Sequence, residues 1–95
     1  MTYLPTTATV PLDGYQVRVT FATGERRLFD ITPYLDHGIF QELRDPALFS
    51  SVRPAFDTIE WANGADITPE ALYRESQPLE EPASAAEEPA RYGMD

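Results

Sequence analysis

Residues 15–34 read YQVRVTFATGERRLFDITPY. Tyr15, Val17, Val19 and Phe21 alternate with Gln16, Arg18 and Thr20, a period of two that predicts a strand with one wet face. ATGE carries a turn signal, and RRLFDI supplies the returning strand. Upstream, TATVPL suits a short strand that Pro11 places at a sheet edge or ends, and Asp13-Gly14 marks the turn between. Three antiparallel strands in a meander are the simplest outcome.

Beyond Ile31 the punctuation changes to capped helix starts. Thr32-Pro33 opens a short helical turn that Gly38 closes. Asp45-Pro46 opens a second, with Leu48, Phe49 and Val52 on one face. Phe56 to Trp61 reads as a strand, Asn63-Gly64 as a tight turn and Ala65 to Ile67 as a brief return. Thr68-Pro69 then starts a third helix, EALYRES, with Ile67 and Leu72 placed for a hydrophobic staple. The expectation is an α+β domain with a small antiparallel sheet of about five strands, the meander plus the later hairpin, and two or three short helices. FATG followed by DITP at residues 21–33 recurs as WANG followed by DITP at 61–69. Repeated turn-and-cap chemistry is sufficient to explain the echo.

The chain has 95 residues, with 16 Asp and Glu against 7 arginines and no lysine. A single domain with a thin core follows from that length. The formal charge of −9 argues against direct contact with nucleic acid or an anionic membrane, since phosphate binding needs a basic footprint. A basic protein partner or a cation is electrostatically favoured, and a thin core makes a homodimer reasonable. Composition shifts after Ser76, so residues 1–76 are read as the domain and 77–95 as an acidic Pro/Ala/Glu-rich disordered tail. No apolar run suits a signal peptide or a membrane span, which makes the cytoplasm the expected compartment.

Candidate chemistry is sparse. With no cysteine and no lysine, thiolate and Schiff-base chemistry have no residue to run on. His37 is the only histidine, and no ligand-spaced partners accompany it. The five glycines are scattered singly and form no phosphate loop. No catalytic, metal or cofactor site is expected, and an enzyme is the least favoured class. The interaction candidates are Trp61, Asn63, Asp66 and Asp30. Trp61 shares a strand face with Ile59, so it is either core or an interface anchor. Asp30 and Asp66 each precede a helix start by two residues, where a carboxylate gains backbone N–H contacts. As a facing pair they could instead bind a cation or do acid–base work.

The run from Val17 to Tyr73 carries FDITP, DPALF and above all WANGADITPEALY, and in these it resembles the bacterial domain of unknown function 2442 family. One departure is Ala62, where many members carry proline. The resemblance implies a small α+β domain of a type sometimes fused to a helix-turn-helix. It also implies a setting beside a second small protein, in what look like toxin–antitoxin pairs, and it brings no catalytic residues. After Ser76 no hydrophobic segment suits a helix-turn-helix. The leading expectation is a non-enzymatic protein-interaction module, antitoxin-like and acidic. The alternative is a regulatory or ligand-sensing domain lacking its DNA-binding part.

Overall fold

The computed structural model describes residues 4–79. Strands β1 (Thr6–Leu12), β2 (Gln16–Phe21) and β3 (Arg26–Asp30) form the expected antiparallel meander. A further strand, β6 (Gln77–Pro78), pairs with β3, giving the order β1-β2-β3-β6. On β2, Val17, Val19 and Phe21 are buried while their neighbours are half-exposed. Their cross-strand partners Phe29 and Arg27 share that face, because Val17 pairs with Phe29 and Val19 with Arg27. Each fully buried apolar side chain of this size stabilises the fold by about 1.5–3 kcal/mol relative to exposure.

Tyr15 departs from the alternation. It sits in the turn at φ 61°, directly after Gly14 at φ 77°, rather than in β2. Its ring meets Phe49 edge-on at 5.3 Å and its hydroxyl donates to the Arg44 carbonyl at 2.7 Å. The turn therefore delivers an aromatic residue to the helical layer instead of extending the sheet.

That layer contains two 3-10 segments, Thr32–Tyr34 and Gly38–Arg44, and helix α1 (Pro46–Phe49). Gly38 opens the second segment rather than closing the first. The first segment already ends at Tyr34 with Leu35 as its C-cap, and Gly38 takes a left-handed φ of 51°, which glycine adopts without cost. In α1 the Asp45 side chain accepts from Ala47 N at 3.0 Å, as the Asp-Pro pair predicts. Helix α2 (Pro69–Glu75) is capped by Thr68, whose Oγ1 accepts from Ala71 N at 3.2 Å. Glu70 and Arg74 pair at 2.7 Å on its exposed face, worth a few tenths of a kcal/mol.

The later hairpin differs from expectation. β4 (Arg53–Ala55) and β5 (Thr58–Glu60) pair with each other, so the reversal occurs at Phe56-Asp57 and not first at Asn63-Gly64. A strand running back to Phe56 would put Asp57 on the same face as buried Ile59 and Trp61; turning there keeps the carboxylate out of the core. The Asn63-Gly64 turn survives as a second reversal, with one bridge between Glu60 and Asp66.

Ordered structure runs past the boundary expected at Ser76. Arg27, only 9% exposed, explains why. Its Nε donates to Ser76 Oγ at 2.7 Å and its Nη2 to the Ser76 carbonyl at 2.9 Å. Nη1 pairs with Glu25 at 2.9 Å, and the guanidinium lies 4.1 Å over the Tyr73 ring. This grip holds the end of α2 against β3, and Leu79 N then donates to the Arg26 carbonyl. The disorder expected for the acidic tail falls, from residue 80 on, outside the described residues.

Truncation after Ser76 removes β6 and should lower the melting temperature by about 4–8 °C relative to truncation after Leu79, the shift for roughly 1 kcal/mol in a domain this small. A second expectation concerns Tyr34, which donates to Glu75 across the gap to α2. Desolvation, then that hydrogen bond, pushes its pKa up to about 12 from 10.0. The unfolded chain therefore loses this proton first, and Tyr34's contribution, full below about pH 10, is lost as pH rises toward about 12. Tyr34→Phe should flatten that alkaline limb in denaturation curves taken between these pH values.

Candidate functional site

Three of the four sequence candidates lie on one loop. Trp61 leaves β5 fully buried, at 0% exposure, and its Nε1 donates to the Phe49 carbonyl at 3.0 Å. Phe49 stacks beside it at 6.5 Å and Phe40 meets it edge-on at 6.4 Å. Trp61 is a core residue, not an exposed anchor.

Asn63 completes the reversal beyond it. Its Oδ1 accepts from Ala65 N at 3.0 Å, and Gly64 takes φ 91° so that Trp61 N can reach the Ala65 carbonyl at 2.8 Å. Asn63 Nδ2 donates to Glu42 at 2.9 Å, and Ala62 N donates to Ser51 Oγ at 3.0 Å. The loop is thus stitched to the second 3-10 segment and to the end of α1. Asn63 spends both ends of its amide on the chain itself.

Asp66 is exposed and lies opposite Glu60. Asp30 ends β3 in the other sheet, where its Oδ1 accepts from Thr32 N at 2.9 Å. This bond does the capping assigned to Thr32 by sequence, because the three-residue segment at Thr32 has Ile31 at its cap position and no side-chain cap of its own. Asp30 thus ends a strand of the four-stranded sheet, and Asp66 is bridged to β5 of the other. His37 is exposed at the start of the second 3-10 segment. Among the described residues no group of three or more His, Cys, Asp or Glu is placed to hold a metal ion. No helix among them is long and apolar enough to cross a membrane.

The surface feature that sequence reasoning missed is Phe56. It is 93% exposed, whereas the other exposed large apolar residues, Leu4, Leu12, Ile39 and Tyr73, show 36–43%. Its backbone occupies the left-handed region at φ 58°. A non-glycine residue there costs about 1–2 kcal/mol. Thr6 holds it in place: Thr6 N donates to the Phe56 carbonyl at 2.7 Å. The buried Thr6 hydroxyl lies 2.7 Å from the Thr58 carbonyl and 3.0 Å from that of Phe56. The signal in the sequence was Asp57, whose parity would put an acid on the core face of a strand continued through it.

A shallow groove of about 250 Å³ lies between the first hairpin turn and α1, lined by Pro11, Leu12, Asp13, Tyr15, Pro46 and Phe49 among others. Small-molecule sites usually enclose roughly 300–1,000 Å³.

In comparison with known proteins, residues 7–78 match the family described as Protein of unknown function (DUF2442). No curated protein and no solved structure matches the chain.

Replacing Trp61 tests its assignment to the core. Trp61→Ala should cost about 3–5 kcal/mol, and Trp61→Phe about 1–3 kcal/mol through the lost hydrogen bond to Phe49. Chemical denaturation of the two variants measures both.

Proposed function

The chain belongs to the DUF2442 family, and from that footing we propose a non-enzymatic interaction module that binds a basic protein. In this reading it is the acidic, antitoxin-like member of a two-gene pair and acts in the cytoplasm. The observation that carries the reading is charge. Sixteen acids face seven arginines for a net −9. Four of those arginines, Arg27, Arg44, Arg53 and Arg74, are paired to the chain's own carboxylates. The field offered to a partner is anionic, which speeds encounter with a basic surface and discourages nucleic acid.

A second reading, small-ligand sensing by a regulatory domain without its DNA-binding part, draws on the groove beside Tyr15. Its size and openness to solvent suit a fragment better than a metabolite, and charge remains the stronger argument.

Co-expression with the product of the adjacent gene is the direct test. A complex should form at low salt and weaken as ionic strength rises through the range where the Debye length falls from about 30 to 8 Å. Two proteins that elute separately at low salt would remove the reading's main support.

A further inference from the structure

We infer that the tip of the β4–β5 hairpin, with Phe56 as its anchor, is the contact by which this domain docks on a basic protein surface. The inference rests on the interaction reading above and assigns it a place on the molecule.

The backbone makes the first case. Phe56 lies at φ 58°, a conformation that favours glycine, while its side chain is 93% exposed. Within the monomer the aromatic ring thus contributes almost no burial to offset its backbone strain. A glycine would serve the turn better. Residues that break a local rule without a folding gain are characteristic of functional positions. The turn is also rigid, because Thr6 clamps the Phe56 and Thr58 carbonyls. A pre-ordered aromatic side chain is the kind of anchor that buries well in a partner's pocket at low entropic cost.

The surroundings extend the contact. Thr6 is preceded by exposed Leu4 and Pro5, and Ala22 N donates to the Pro5 carbonyl at 2.9 Å. Leu4, Pro5, Ala22 and Phe56 are thereby tied to one end of the sheet by two backbone hydrogen bonds, the Ala22–Pro5 bond and the Thr6–Phe56 bond.

Charge selects the occupant. On the hairpin, Arg53 and Glu60 neutralise each other in an ion pair of 3.2 Å. Asp57 comes directly after Phe56 and leaves the hairpin with one net negative charge. The complement is an apolar socket rimmed by Arg or Lys. A second copy fits less well: a two-fold contact would bring Asp57 toward its own symmetry mate, between chains that each carry −9.

The test uses the full chain and two synthetic peptides of equal charge, one of alternating Leu and Arg and one of alternating Ser and Arg. At low salt the Leu/Arg peptide should bind at least tenfold tighter, with amide shifts concentrated at Leu4, Thr6, Ala22, Arg53 and residues 55–58. Phe56→Ser and Phe56→Gly should abolish that preference; Phe56→Gly should also keep or raise the melting temperature, which separates lost contact from lost fold. Equal binding of both peptides, unchanged in Phe56→Ser, would overturn the docking site while leaving the basic-partner reading intact. Absence of binding by either peptide would overturn both. Concentration-dependent self-association of the wild type, dissolved by Phe56→Ser, would assign the tip to a second copy and overturn the partner named here.

Discussion

The hydrogen bond from Trp61 Nε1 to the Phe49 carbonyl is the joint on which the rest of the domain hangs. A fully buried indole needs a partner for its one donor, and the carbonyl it finds belongs to the last residue of α1. From that joint the aromatic contacts spread both ways. Phe49 leads to Tyr15 at the meander's first turn, and Phe40 leads through Tyr34 to Phe29 in β3. One side chain from the hairpin therefore couples the helical layer to the sheet. In a chain with so little interior, such a centre accounts for the tight stitching of Asn63, Ser51 and Glu42 around it.

Arg27 performs a second coupling by different physics. It occupies a core-facing position opposite Val19, where an apolar residue would be usual. Its nitrogens have three acceptors and its flat face has the Tyr73 ring, so the buried charge is compensated on every side. The Glu25 that pairs with it also accepts from Tyr73, and that bond raises the Tyr73 pKa above its ordinary value. Arginine at this position recruits Ser76 and sets β6 beside β3.

The twin DITP tetrads show how one motif is resolved in two ways. At residues 30–33 the aspartate caps, through Thr32 N; at residues 66–69 the threonine caps, through Ala71 N. The difference lies in the length of the segment each tetrad opens. A seven-residue helix offers Thr68 an amide three positions on, whereas the first segment is a three-residue 3-10 turn. The repeat is shared punctuation: one of its aspartates ends β3 and the other bridges to β5. Among the described residues, the outlying feature of the surface is Phe56.

Local chemistry carried much of the fold into legibility. The alternation through Val17, Val19 and Phe21 set the meander, and the Asp45-Pro46 and Thr68-Pro69 pairs set both α-helices, because period and capping act over a few residues. The family was legible too, in WANGADITPEALY. What the sequence could not decide were matters of long-range partnership. Phe56 turned outward because Thr6, fifty residues earlier, clamps its carbonyl. Trp61 turned inward because Phe40, the Phe49 ring and the Phe49 carbonyl converge on it, and β6 exists because Arg27 reaches Ser76. Residue type and spacing determine which elements can form. Burial and hydrogen-bond satisfaction between distant segments decide which side chains those elements keep and which they offer.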